Sequence, residues 1–311
     1  MEFNHISVLL NESIEMLNIK PHGVYADGTL GGGGHSSLIC EELEGDGVLS
    51  GIDRDETAIA AATKRLEKYE CKKHICHNNF FNIKDVLNDL GIAEIDGAIL
   101  DLGVSSPQLD VAERGFSYNM CGALDMRMDK SAALDAYTVV NTYEEKRLAD
   151  IIFNYGEEKF ARRIARDICQ YREKKPVETT TELSEIIKNA FPPAARYGDK
   201  HPSKRTFQAI RIEVNGELDG LDKAIKNFAG ALKSGGRLAV ITFHSLEDRI
   251  VKNTFAELAS GCECPKDFPV CVCGKKPVVK LVNRKPIIAG DKELKDNFRS
   301  HSAKLRVAEK L

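Results

Sequence analysis

No stretch of this 311-residue chain approaches the roughly 20 consecutive apolar residues that a membrane-spanning helix needs. The N-terminal region carries Glu2, Glu12 and Glu15 where a signal or transit peptide would be basic. Internal repeats and low-complexity linkers are also missing, so solenoids and tethered modules drop out. The nine cysteines are an odd number in a chain without a secretion signal, which argues for reduced thiols rather than a disulfide framework. A cytoplasmic globular protein is expected, and 42% hydrophobic with 29% charged residues is ordinary for that class. The length suits one large domain or a domain with a sizeable insertion.

The formal net charge of -3 is unevenly spread. Lys159 to Arg211 holds 13 Lys/Arg against 6 Asp/Glu, and Lys275 to Leu311 holds 11 against 4. Two basic stretches on an otherwise acidic chain suit a protein that meets a polyanion with part of its surface; solvated helix faces are the plain alternative.

From Gly23 to Gly103 short apolar runs alternate with helical patterns. Strands are expected over 24–27, 47–53, 74–77 and 95–102, with helices from about 33, over 57–69 and over 83–90. This βαβαβαβ pattern calls for an α/β fold with a mostly parallel sheet and ligands at the carboxyl ends of its strands. The next buried strand, 237–243, follows a helix over about 218–232 and a Lys233-Ser-Gly-Gly236 stop and turn. The gap between 103 and 236 is too long for one crossover helix. Helical spacing over 144–155, 159–172 and 181–190 makes it an α-helical insertion at 106–205, splitting the main domain into 1–105 and 206–311. Two final strands are expected over 277–283 and 303–307.

The strongest local signal is Tyr25-Ala-Asp-Gly-Thr-Leu-Gly-Gly-Gly-Gly-His-Ser36, a strand that ends in an acid and runs into four glycines at the mouth of a helix. Glycine there lets a ligand approach the backbone. Asp53 ends the next strand, where a carboxylate accepts the two hydroxyls of an adenosine ribose. Ser36 stands where a dinucleotide fingerprint has its third glycine, and Asp27 sits better beside an ammonium and a sulfonium than beside a pyrophosphate. S-adenosylmethionine is therefore favoured over a nicotinamide dinucleotide, with an N-cap role for Asp27 as the structural alternative. Phe80 would cover one face of the adenine, and Phe81 would belong to the core. Asp101 closes the fourth strand where substrate and donor must meet.

Cys262-x-Cys264 and Cys271-x-Cys273 are separated by six residues. One residue between paired cysteines is tighter than the two usual in a zinc knuckle, so the expectation is no metal, with a structural zinc on these four as the alternative.

Several segments resemble the RsmH family, also called MraW, of bacterial 16S ribosomal RNA cytosine-N4 methyltransferases. They include His5-Ile-Ser-Val-Leu-Leu10, Asp27 to His35, Asp101-Leu-Gly-Val-Ser-Ser-Pro-Gln-Leu-Asp110, Arg114-Gly-Phe-Ser117, Leu124 to Asp129, His201-Pro-Ser-Lys-Arg-Thr-Phe-Gln208, Phe243 to Arg249 and Ser302 to Arg306. The resemblance runs from residue 5 to residue 308 in the family's order. It implies a class I S-adenosylmethionine-dependent, Rossmann-like fold with the insertion as substrate-recognition subdomain. It also implies a cytosine in the decoding region of 16S rRNA as target and no metal; naked RNA and the assembled 30S subunit both stand as substrates, a decoding-region target favouring a nearly mature subunit. The family's cofactor contacts fall on Gly33, Gly34, His35, Asp53, Phe80, Asp101 and Gln108.

Cytosine N4 is a poor nucleophile, so the chemistry needs hydrogen-bond acceptors on the amine, in-line positioning and a route for the proton. Asp101, or carbonyls just after it, would accept from the amine; a contact with the donor's methionine moiety is the equal alternative for Asp101. Ser105 or Ser106 would hold the base edge. Phe116 or Tyr118 would stack on an extruded base, and His244 with Ser245 are second-rank contacts, His244 having a helix-cap alternative. RNA phosphates would meet His201, Lys204 and Arg205, the Arg162-Arg163-Arg166 face, and Arg299, Lys304 and Arg306. An oxidoreductase gives no role to the basic stretches, and a non-catalytic RNA-binding factor would survive loss of Asp101.

Overall fold

The computed structural model describes residues 7–196, 201–262, 264, 270 and 272–311, with the side chains of Ser106 and Pro107 outside that description. Two compact units emerge, residues 1–103 with 220–311, and residues 104–219.

The first unit is built on a seven-stranded sheet in the order β3-β2-β1-β4-β5-β7-β6. The strands are β1 (Val24–Asp27), β2 (Val48–Asp53), β3 (Lys72–His77), β4 (Ile95–Asp101), β5 (Leu232–Thr242), β6 (Val279–Leu281) and β7 (Lys304–Lys310). Pairing is parallel from β3 through β5, and β7 runs antiparallel to both β5 and β6. The period-two alternation of the central strands sends neighbouring side chains into two cores. On β4, Ala98 and Leu100 join Ile52, Phe228 and Val240 in one, while Ile99 joins Tyr25, Leu49 and Ile241 in the other. Apolar residues on both faces explain why these strands read as continuous hydrophobic runs. Helices α1 (Leu10–Leu17), α2 (Gly34–Glu42), α3 (Glu56–Leu66), α4 (Ile83–Asp89), α11 (Leu221–Ala231), α12 (Ser245–Ala259) and α13 (Asp291–Asp296) complete this unit. No described helix is long and apolar enough to cross a membrane.

The turn expected at Lys233–Gly236 is absorbed into β5. Ile95 pairs with Leu232 and Gly97 with Arg237, so the four residues form an irregularity within the ladder, with Gly235 at φ +78°.

The second unit comprises α5 (Ser106–Asp110), α6 (Ala136–Thr142), α7 (Glu145–Gly156), α8 (Ala161–Arg172), α9 (Thr180–Ala190) and α10 (Ser203–Asn215). Its core holds Val139, Leu148, Ile152, Ile164, Ile168, Leu183 and Ile187. Because Phe207, Ile210 and Val214 of α10 sit in that same core, the unit extends to Asp219, past the point near 205 suggested by the chain breaks at Pro192 and Pro202. The capping box of α9, in which Thr179 and Glu182 satisfy each other's backbone, explains why the helix starts where its spacing predicts.

Candidate active site

The strand order reverses between β1 and β4, and the carboxyl ends of these strands form the crevice where such sheets bind ligands. Asp27 ends β1 and Asp101 ends β4. The glycine loop is stitched across the sheet top: Gly28 N donates to Ile99 O at 3.0 Å, Leu30 N to Ile52 O at 3.0 Å and Gly31 N to the Asp53 carboxylate at 2.7 Å. Gly33 caps α2 with φ +75°, a conformation that suits glycine. A Cβ on Gly34 would stand 1.9 Å from Ser7 Oγ, so that glycine gives the Ser7 side chain its place. Around Gly32 a Cβ would meet nothing within 4 Å, which leaves the loop open where a ligand would lie.

Asp27 is 2% exposed, with one oxygen accepting from Thr29 N at 3.0 Å and the other from Ser36 Oγ at 2.7 Å. Ser36 thus occupies the position of a third fingerprint glycine because its hydroxyl ties α2 to the end of β1. Neither the N-cap role nor direct exposure to a ligand describes Asp27. It is a buried carboxylate that holds the loop, and burial pushes its pKa up to about 6.

Asp101 differs. Its backbone N–H donates to Thr29 Oγ1 at 2.6 Å, one carboxylate oxygen lies 3.7 Å from His35 Nδ1, and the other, Oδ1, is buried with no hydrogen-bond partner. Burial, then the nearby charges of Asp27 and Glu247, push its pKa well above the usual carboxylate range. His35 is buried, with Nε2 3.2 Å from Val8 O. Asp53 is half-buried, accepting from Gly31 N and from Asp55 N at 2.9 Å, and burial raises its pKa. Phe80 and Phe81 are both half-buried, edge to face with centroids 4.5 Å apart, and both pack against the sheet core, so Phe81 is no more interior than Phe80.

His244 takes its cap alternative. It is the N-cap of α12 in a capping box with Glu247, whose carboxylate accepts from His244 N at 3.3 Å and also from Phe243 N at 2.9 Å. Thr29, Ser36 and Glu247 are the site residues that sequence reading missed. Thr29 and Ser36 lay inside the quoted motif, and Glu247 stands three residues after His244, the capping-box spacing.

The second unit brings other predicted residues together by itself. The Tyr118 and His201 rings stack at 4.5 Å and 17°, and Phe207 meets the Tyr118 ring edge-on at 5.7 Å. Burial and the Lys188 charge hold the His201 pKa low. Lys204 is exposed, as are Arg162, Arg163 and Arg166, the last paired with Asp167. Arg205 donates to Glu157 O at 3.2 Å and lies 3.7 Å from Glu158, so it also braces its own unit. The Gln108 side-chain carbonyl accepts from Ser105 N at 3.0 Å, and Ser105 Oγ is buried without a partner. The Ser106 side chain lies outside the described residues.

Two expectations are overturned. Phe116 is 5% exposed within the second unit's core and has no face to offer a base. Lys304 and Arg306 both bind Asp248, at 3.0 and 2.7 Å, and tie β7 to α12; Arg306, 8% exposed, is no part of an RNA-binding tail, while the Lys304 side chain stays 41% exposed. Of the four clustered cysteines, Cys262, Cys264 and Cys273 come together, and Cys271 lies outside the described residues.

The MraW methylase family matches residues 2–311. The chain belongs to that family. It is similar to the ribosomal RNA small subunit methyltransferase H of Brevibacillus brevis, 53% identical over 311 residues that cover all of this chain and 99% of the relative. The proteins of the same name from Lachnospira eligens (56% identical, all of this chain and 99% of theirs) and Clostridium botulinum strain Kyoto (57%, all of both chains) are also similar. The sheet is that of the class I, Rossmann-like methyltransferase fold. The cofactor of this methylase is S-adenosylmethionine.

The site's residues fit that cofactor. The first unit gathers Asp27, Asp53, Asp101 and Glu247 at or beside the strand ends, and an orphaned carboxylate oxygen among them calls for a cation or a donor. A pyrophosphate would be repelled by the same set.

Proposed function

We propose that this chain methylates the exocyclic N4 of one cytosine in the decoding region of 16S ribosomal RNA, within the 30S subunit. The relatives' name, ribosomal RNA small subunit methyltransferase H, supports the RNA class. The observation that carries the chemical reading is Asp101 Oδ1, buried without a partner at the end of β4 beside the glycine loop.

Bound at these strand ends, S-adenosylmethionine supplies an electrophilic methyl group on a sulfonium. Asp53, whose oxygens accept from Gly31 N and Asp55 N, would hold the ribose hydroxyls with its remaining acceptor capacity. Phe80 would cover the adenine, and the open backbone beside Gly32, with Gly33 and His35 following, would hold the methionine moiety. Beside a bound positive charge the Asp101 carboxyl would ionise. The ionised Oδ1 then accepts an N4 hydrogen, which turns the amine lone pair away from the ring and toward the methyl group. After transfer the same carboxylate takes the proton, a task suited to a group more basic than an ordinary carboxylate. His35 Nδ1 stands 3.7 Å from the other oxygen.

The second unit is the substrate-recognition subdomain. Its stacked Tyr118 and His201, with Lys204 exposed in the first turn of α10, offer an aromatic edge and a cation to RNA. The exposed arginines of α8 extend that charge. Ser105, whose hydroxyl is buried without a partner, is the second unit's hydrogen-bonding candidate for the base edge.

The test is transfer of tritium from labelled S-adenosylmethionine to 30S subunits lacking the modification, followed by mass spectrometry of digested rRNA. A single N4-methylated cytosine in the decoding region is expected. Label at a base carbon, at a ribose or in the large subunit would overturn the reading.

A further inference from the structure

We propose that the loop joining α12 to β6 is a zinc site, with a Zn2+ ion held on the thiolates of Cys262, Cys264 and Cys273. The three sulfurs all lie within 4.8 Å of one another, and Cys262 Sγ and Cys273 Sγ are 3.9 Å apart. A tetrahedral zinc with Zn–S distances of about 2.3 Å has sulfurs about 3.8 Å apart along each edge, so the Cys262 to Cys273 separation is that of two ligands on one ion. Eleven positions of sequence separate these two residues, and their approach to ligand spacing is a property of the fold.

The backbone around the sulfurs points the same way. Cys264 N donates to Cys262 Sγ at 3.3 Å, and Val272 N donates to Cys264 Sγ at 3.4 Å. N–H groups aimed at sulfur favour thiolate over thiol and are what surrounds sulfur ligands in metal sites. The tight one-residue spacing of Cys262 and Cys264, which argues against a knuckle in sequence, is what allows the first of these bonds. The base of the loop is closed independently of any metal. Val278 N donates to Leu258 O at 2.8 Å, and Ser260 Oγ donates to the Cys262 carbonyl at 2.8 Å, fixing the first ligand directly after α12.

The site shares no residue with the strand-end crevice, so its role is structural: it closes the loop between α12 and β6. Binding converts three thiols to thiolates and releases three protons to solvent, with no change of oxidation state, so occupancy falls as pH falls.

The full chain, purified under reducing conditions without chelator and dialysed, should carry about one Zn2+ per chain by elemental mass spectrometry. Replacement by Co2+ should give the intense near-ultraviolet thiolate-to-cobalt band. Cys262→Ser with Cys273→Ser should lower bound zinc at least about tenfold and abolish that band, while S-adenosylhomocysteine affinity stays within about twofold. If the double variant fails to fold, chelation and Zn2+ re-addition on the wild-type chain read the same site. A metal-free wild-type protein that takes up no Co2+ overturns the proposal. So does zinc retained by the double variant, or a Cys262–Cys273 disulfide in the reduced preparation.

Discussion

Asp96 and Asp101 stand near opposite ends of one strand and live under opposite electrostatics. Asp96, near the start of β4, binds Lys20 and Lys233 at 3.2 and 2.7 Å and accepts from Val24 N at 3.0 Å, and these partners hold its pKa below the usual value despite burial. Asp101 has a distant histidine, two acidic neighbours and an oxygen with no partner, and its pKa goes up. One carboxylate is arranged to stabilise the sheet and the other to be stabilised by something else. An acid kept in a buried, repulsive position marks a functional site when the same strand shows how an acid is satisfied.

The comparison breaks first at Asp101→Asn. Loss of the proton acceptor should lower methyl transfer to 30S subunits by about 10²- to 10⁴-fold. The same variant should melt a few degrees higher than wild type above neutral pH. The Asp101 pKa is raised in the folded chain, so its contribution to stability is present at low pH and lost as pH rises through that value, and asparagine carries no such loss. Retained activity with lowered stability would make Asp101 a structural acid like Asp96. At the other end, Asp96→Ala should cost about 1–3 kcal/mol in denaturant unfolding by removing charge-assisted bonds, with kcat unchanged in the folded fraction.

Ligand binding sharpens the contrast. Because the Asp27 carboxyl titrates near about 6 and that of Asp101 is raised, both are partly neutral in acid and charge as pH rises. S-adenosylmethionine, carrying two positive centres, should therefore bind more tightly as pH rises through about 6, and calorimetry should detect proton release on binding. Asp96→Ala should leave this slope intact. The smallest effect belongs to the second unit. Lys204→Glu should weaken 30S binding and lower the salt slope by roughly one phosphate contact, leaving cofactor affinity unchanged. A parallel loss of cofactor binding would mean that Lys204 is structural. Arg205 is less suited to this test, since it also ties α10 to Glu157 and Glu158.

Much of this was legible before folding. The strands of the sheet centre read directly because both their faces are buried, and the glycine loop with Asp27, Asp53 and Asp101 read as a donor site because acid-terminated strands sit at a sheet's carboxyl edge. The short helices α1, α6 and α13 and the cap function of His244 were harder, since a few turns carry little periodicity and caps are decided by local geometry. Phe116 was misjudged because an aromatic beside glycine and serine looks like a surface platform until the packing of the second unit covers it. Arg306 was misjudged because a basic tail looks solvated until Asp248 is brought beside it.

By itself the sequence determined the strand and helix periodicities, the glycines of the loop and the placing of acids at strand ends, all of which depend on residues close together in the chain. Tertiary structure alone decided which acid is satisfied and which is left wanting. It likewise decided which cations face solvent and which cysteines meet. A residue's charge state and exposure depend on groups brought to it from up to hundreds of positions away, and only the packed sheet supplies those distances.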